Sequence, residues 1–219
     1  MGHKVCRKNR CGRMIGKFVA WIRKVLFRRK HLRLGLYGST NVGKTTLANR
    51  ICIDLMGEPM GEVSIIPHET RIVRQKEKIT LKASNVSLSL NLLDMPGIAV
   101  KVDYRDFMQF GLTQKEAQAR AREATKGIIE AVRYIENVDA ALLVVDSTED
   151  PYTQVNITIL GNLEAKGVPV VIIANKIDLS SANVKRIRDS FPQYPVVEIS
   201  AMTGENIPRL YEAIASKLA

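Results

Sequence analysis

The sequence predicts an α/β fold whose sheet is mostly parallel and covered by helices on both faces. Three observations carry this prediction. From residue 32 onward, short apolar runs alternate with longer stretches of helical spacing, the pattern of successive strand–helix units. Ala140–Val145, Val168–Ala174 and Pro195–Ile199 are apolar, β-branched runs bounded by turn residues, as strands buried on both faces require. Leu32–Tyr37, a short and largely apolar run, passes directly into a glycine-rich loop that opens a helix.

The elements follow in chain order. Leu32–Tyr37 is the first strand, and a helix runs from Lys44 to about Met56. Lys78–Ala83 and Val86–Leu93 form a hairpin turned at Ser84-Asn85. Pro96 to Leu112 reads as irregular. Thr113 and Glu116 then supply the T-x-x-E pattern of a capping box, opening a long helix that extends to about Glu136. Helices at Thr153–Lys166, Ala182–Ser190 and Ile207–Leu218 lie between and after the three apolar strands. There is no internal repeat and no low-complexity linker.

Composition narrows the class. Of 219 residues, 46% are apolar, enough for a packed core and against wholesale disorder. No window approaches 18 uninterrupted apolar residues, so no spanning helix is expected. The basic N-terminus interleaves its apolar residues with charges, unlike a secretory signal. Three cysteines, odd in number and sparse, read as reduced thiols, and a cytoplasmic location is expected.

Charge divides the chain in two. Residues 1–33 carry twelve Lys or Arg and no acid, whereas residues 34–219 carry 21 bases against all 22 acids. The expected organisation is a basic arm, residues 1–31, joined to a nearly neutral globular domain, residues 32–219. Within the arm, Ile15, Phe18, Val19, Ile22, Val25 and Leu26 fall on one helical face. Arg13, Lys17, Arg23, Lys24 and Arg28 fall mostly on the other. Such a basic amphipathic helix suits an anionic membrane surface, nucleic-acid phosphates, a partner protein's groove or the chain's own domain. The sequence leaves these four open, so the chain is expected in the cytoplasm, free or peripheral to a membrane or nucleoprotein.

Chemistry concentrates in four loops. Gly38-Ser39-Thr40-Asn41-Val42-Gly43-Lys44-Thr45 matches G-x-x-x-x-G-K-[ST] between a strand and a helix, the phosphate-binding P-loop. Its glycines let the backbone curl until N–H groups face phosphate oxygens, and the helix N-terminus adds positive potential. Lys44 is placed to reach the β- and γ-phosphates, and Thr45 to offer its hydroxyl to Mg²⁺. Thr46 continues the loop into the helix and joins the nucleotide-binding set. Asp94-Met95-Pro96-Gly97 ends the second hairpin strand. There Asp94 would hold Mg²⁺ through water, and the Gly97 N–H would meet the γ-phosphate. Asn175-Lys176-Ile177-Asp178 follows an apolar strand at its carboxyl end, where open α/β sheets bind ligands. An aspartate at 178 can accept from both guanine N1–H and the exocyclic amine, a donor pair that adenine lacks. Ser200-Ala201-Met202-Thr203-Gly204 follows the last short strand and would close over the base through backbone contacts. Singly these motifs are common loops. In this order, each after a strand, they specify a P-loop NTPase that selects guanine.

The set GSTNVGKT, DMPG, NKID and SAMTG resembles the translation-factor-related GTPases, closest to the Era, Der and MnmE group, over residues 32–219. The resemblance implies a GTP-binding and GTP-hydrolysing switch that controls assembly or recruitment of a ribosomal, nucleoprotein or membrane-associated partner. The alternative is a slowly hydrolysing scaffold whose arm supplies the binding activity. By the same resemblance, Thr70 in His68-Glu69-Thr70-Arg71 matches the switch I threonine that ligands Mg²⁺. Ile98 stands immediately after D-x-x-G, where Ras-type proteins carry the water-orienting glutamine. Transition-state charge must then be met elsewhere, and Asn41 matches the P-loop asparagine that helps bind K⁺ in potassium-using relatives. Lys44, Thr70 and Asn41 are therefore the expected catalytic group, with GTP and Mg²⁺, and with K⁺ or an activating protein as the remaining requirement. Bacterial Era carries an RNA-binding KH domain after its G domain. This sequence ends with its last helix, so RNA binding through a KH domain is not implied.

Deleting residues 1–30 removes eleven Lys or Arg and takes the formal net charge from +11 to zero. Every nucleotide motif lies at or beyond Gly38, so the truncated chain should bind fluorescent GDP as the full chain does. Attachment to its target should be lost, which liposome flotation and nucleic-acid retention across a salt series will read. Phosphate contacts give a steep fall of log affinity with log salt.

Overall fold

A computed structural model describes residues 31–61, 73–83, 86–98 and 103–218. The basic arm through residue 30 and Thr70 lie outside the described residues. Six strands form one sheet: β1 (Leu32–Tyr37), β2 (Arg74–Ala83), β3 (Val86–Asp94), β4 (Ala140–Asp146), β5 (Val170–Asn175) and β6 (Val196–Glu198). Their order is β2-β3-β1-β4-β5-β6. Only the β2–β3 pair is antiparallel. The helices are α1 (Lys44–Met56), α2 (Tyr104–Met108), α3 (Gln114–Arg133), α4 (Gln154–Ala165), α5 (Val184–Ser190) and α6 (Ile207–Leu218).

Strand periodicity distributes the core. Along β4, Ala140, Leu142 and Val144 join one buried cluster with Leu47, Ala48 and Ile51 of α1 and Leu210 and Ile214 of α6. The alternate residues Ala141, Leu143 and Val145 join a second cluster with Ala131 of α3, Ile159 and Leu163 of α4, and Ile187 of α5. A strand with both side-chain sets buried must be apolar throughout, which is the pattern by which β4 and β5 are legible. The first cluster thus lies under α1 and α6, and the second under α3, α4 and α5.

Three elements differ from the sequence reading. The first hairpin strand begins at Arg74 rather than Lys78, because Arg74 and Gln75 pair by backbone with Asp94 and Leu93. Its first five residues are polar, as suits an edge strand whose charges discourage pairing with another chain. A register shift between Lys76 and Ile79 accommodates the left-handed Lys78, at φ 58°. The stretch read as irregular contains α2, whose N-cap Asp103 accepts from Arg105 N–H. The long helix has its capping box, with the Thr113 N–H donating to Glu116 Oε2 at 2.9 Å, but stops at Arg133 and tightens into a 3₁₀ turn, Tyr134–Asn137. Among the described residues, no helix is long and apolar enough to cross a membrane.

Leu142 is fully buried at the centre of the sheet. Leu142→Ala should cost about 3 kcal/mol through lost burial and residual cavity. Urea unfolding will read this as a lower midpoint at unchanged slope.

Candidate functional site

The carboxyl ends of β1, β3, β5 and β6 bring the four motif loops to one edge of the sheet, and backbone geometry shapes the first of them. Gly38 has φ 145°, and a Cβ there would stand 2.3 Å from the Val144 carbonyl oxygen of β4. Asn41 at φ 61° and Gly43 at φ 94° complete the curl into α1. A Cβ at Gly43 would meet Asn175 Nδ2 at 2.3 Å, so neither glycine has room for a side chain. Lys44, 6% exposed, bends back and donates to the Ser39 carbonyl at 2.6 Å. Burial lowers its ammonium to about 8, against the opposing pull of Asp94. Ser39 and Thr40 line the loop half-buried, Val42 packs into the core beneath it, and Asn41 is exposed. Thr45 and Thr46 start α1 half-buried.

Beside the loop, Thr45 Oγ1 donates to Asp94 Oδ2 at 2.7 Å. Asp94 is fully buried, and its other oxygen, Oδ1, has no hydrogen-bond partner. Burial raises this carboxyl, while Thr45, Lys44 and Arg74 pull it back down. A hydroxyl and an orphaned carboxylate oxygen side by side are hard donors of the kind Mg²⁺ takes. The residues present therefore fit that ion. Gly97 presses on the same loop: a Cβ there would fall 2.8 Å from Thr40 Cγ2 and 3.3 Å from Lys44 Nζ. The Ile98 N–H donates to the Gly38 carbonyl at 3.2 Å, while its side chain, 7% exposed, joins the core beneath α3.

On the other side of the loop, Asn175 acts as a buried clasp. Its Nδ2 donates to the Val42 carbonyl at 2.8 Å, and its Oδ1 accepts from the Ala201 N–H at 2.9 Å. Each end of this amide bonds another loop, so Asn175 ties the walls of the pocket together, and neither bond uses its second Nδ2–H. Lys176, at φ 67°, forms an ion pair with Asp146 Oδ2 at 2.5 Å. Burial would raise the Asp146 carboxyl, but Lys176 and the two Thr148 donors outweigh it and hold it below the usual range. Asp178 is exposed at the edge. Ser200 is buried, its Oγ accepting from Thr203 N–H at 3.1 Å, and the loop crest carries Met202 into solvent at 71% exposure.

This assembly matches a known family. The model for 50S ribosome-binding GTPases matches residues 33–176, about two thirds of the chain. The chain belongs to that GTPase family. GTPase Der of Chloroflexus aggregans is 28% identical over 198 residues, which cover 84% of this chain and 37% of that protein. Elongation factor 4 of Campylobacter curvus is 29% identical over 195 residues, covering 80% of this chain and 28% of that protein. This GTPase-family chain therefore spans less than two fifths of the length of these curated relatives. Among solved structures, Era of Aquifex aeolicus bound to GDP·AlF4⁻ superposes with TM-score 0.64 at 23% identity, covering 85% of this chain and 56% of that one. Era in complex with MgGDPNP and part of 16S ribosomal RNA gives TM-score 0.61 at 22% identity, covering 86% and 58%. At these identities the superpositions establish the fold.

Two side chains, one in the site and one that anchors the chain beyond α1, escaped the sequence reading. Asp146 ends an apolar strand at the ligand edge in Asp146-Ser147-Thr148, and that polar step after six buried residues was its available signal. Asn49 lies within α1 and has no local signal. Its Nδ2 donates to Gly61 O at 2.6 Å, and its Oδ1 accepts from the N–H groups of Met60 and Gly61, anchoring the chain as it leaves α1.

Asn175→Ala should cost about 2–4 kcal/mol, because it orphans a buried carbonyl and a buried N–H. Asn175→Asp can still accept from Ala201 but cannot donate to Val42, so it should recover little. Urea unfolding of the free chain checks both.

Proposed function

We propose that this chain binds GTP with Mg²⁺ and hydrolyses it as a molecular switch that governs assembly or recruitment of a partner complex. The observation that carries the reading is the Asn175 clasp, which holds the phosphate-binding loop and the base-closing loop together at one sheet edge. Family membership and the similarity to GTPase Der support hydrolysis.

Lys44 now rests on the Ser39 carbonyl, and a phosphate oxygen would take over that bond and favour the charged ammonium. Thr45 and Asp94, joined by Thr70 on the family resemblance, would hold Mg²⁺, which when bound neutralises β/γ-phosphate charge. Gly97 has no side chain to keep its N–H from the γ-phosphate position beside Lys44 and Thr40. The Asp178 carboxylate, exposed at the mouth, would read the guanine N1–H and amine. Lys176, steadied by Asp146, would lay its aliphatic stem along the purine.

Turnover without help should be slow. Ile98 is apolar and turned into the core, so it cannot orient water. We infer that K⁺ beside the exposed Asn41 supplies the missing positive charge, with a protein activator as the competing solution. The same burial favours the second reading, a scaffold that hydrolyses little. A ribosomal or other nucleic-acid partner is the favoured target, by likeness to Era bound to ribosomal RNA. A membrane surface and a protein groove are alternative sites for the arm. The setting is the cytoplasm or the periphery of such a complex.

Asp178→Asn should weaken GTP by on the order of a hundredfold and transfer preference to xanthosine triphosphate, a loss in the range expected when paired polar groups are unmatched. Equal GTP affinity in both proteins would sink the base-recognition reading. Replacing Na⁺ by K⁺ at constant ionic strength should raise turnover, and Asn41→Ala should erase the rise. Identical rates in both salts would leave the activator or the scaffold.

A further inference from the structure

We propose that Arg50 is a positioning residue for guanine recognition, acting by fixing the peptide plane at the crest of the Ser200–Gly204 loop. The inference rests on the guanine-nucleotide reading above. Arg50 lies on α1, six residues after Lys44, or about 9 Å along the helix axis. Its side chain leaves the helix for the far loop: Nη2 donates to the Met202 carbonyl at 2.8 Å and Nε to the Ala201 carbonyl at 3.4 Å. The guanidinium also lies against Gly204, where a Cβ would stand 3.6 Å from Arg50 Cζ. Gly204, at φ 88°, is in the left-handed region that favours glycine.

The loop's internal bonds fix its base rather than its crest. Ser200 N–H donates to Glu205 O at 3.1 Å, and Gly204 N–H to Ser200 O at 2.9 Å. Thr203 N–H is taken by Ser200 Oγ, and Ala201 N–H by Asn175. What remains to set the crest is the direction of the Ala201 and Met202 carbonyls, and both face Arg50. A trans peptide is planar, with its C=O and N–H pointing to opposite sides. Holding the Ala201 carbonyl toward Arg50 therefore turns the Met202 N–H away from it, as a fixed donor for an acceptor on the base edge. Guanine has such an acceptor in O6. A cationic donor on the carbonyl also polarises the peptide and strengthens that N–H. Because Arg50 and Lys44 share α1, the base donor and the phosphate cation are referenced to the same rigid helix.

The test compares three ligands on the wild type, Arg50→Ala and Arg50→Lys, by competition against fluorescent GDP. GDP presents O6, the diphosphate of 2-aminopurine riboside lacks it, and inorganic pyrophosphate has no base. Arg50→Ala should weaken GDP roughly tenfold, the loss of about one charge-assisted hydrogen bond. The 2-aminopurine diphosphate and pyrophosphate should change by less than about twofold, so GDP's advantage over the O6-deficient ligand shrinks. Arg50→Lys, a point cation able to hold one carbonyl, should restore part of it. Equal weakening of all three ligands, or a GDP advantage untouched by Arg50→Ala, would overturn the proposal. Failure of the underlying reading looks different, because wild type would then bind GDP no better than pyrophosphate.

Discussion

The site depends on one primary amide. Asn175 gives an N–H to the Val42 carbonyl and takes the Ala201 N–H, so it joins two loops that lie far apart in sequence. No other neutral side chain of that size donates and accepts along one short fork. Buried among apolar strands, both bonds are electrostatically strong and costly to lose. The glycine at 43 follows from this, because the amide occupies the space a Cβ would need. Lys44 then enters α1 from a loop whose shape is already set on both sides.

Around this clasp the site gathers buried charged groups, Asp94 and Lys44, that act on each other across the loop. Asp94 is wholly buried with one oxygen bonded to Thr45 and the other unmatched. Lys44 is buried against a neutral carbonyl. A carboxylate and an ammonium in such surroundings are poorly solvated by the protein alone. Binding a polyphosphate with its metal would resolve both at once. Gly97, crowded against Thr40 and Lys44, brings the segment after Asp94 to the same spot, so on the proposed reading a change at the phosphate would reach that segment through its backbone.

Much of this was legible in sequence for definite physical reasons. Strands β4 and β5 are buried on both faces and had to be apolar throughout, and the four loops follow strands whose ends the apolar runs mark. Helix α1 was read at its observed bounds because the P-loop lysine opens it and Gly57, in the left-handed region, closes it. What escaped was held by long-range partners. The polar start of β2 is a strand only because β3 offers its backbone there. Asn49 and Arg50 look like ordinary solvated helix residues, and only folding brings Gly61 to one and the Ala201–Met202 crest to the other. Asn175 was recognised as a motif residue, but its task of joining loops could not be read from spacing.

The ladder of the sheet also fixes an order of events during synthesis. Strand β1, which leads into the phosphate loop, pairs with β3 through Leu32 and Leu90 and with β4 through Leu34 and Ala140. It is made first and finds its last neighbour only after more than a hundred further residues have left the ribosome's tunnel. The β2–β3 hairpin, by contrast, closes on adjacent sequence and can form early. The crest at Ala201 is the last of the four loops to arrive, so an emerging chain has its glycine-rich loop long before the proposed nucleotide pocket is finished. On the proposed reading, nucleotide would stabilise the completed domain, and its concentration in the cell would become a term in whether a newly made chain stays folded.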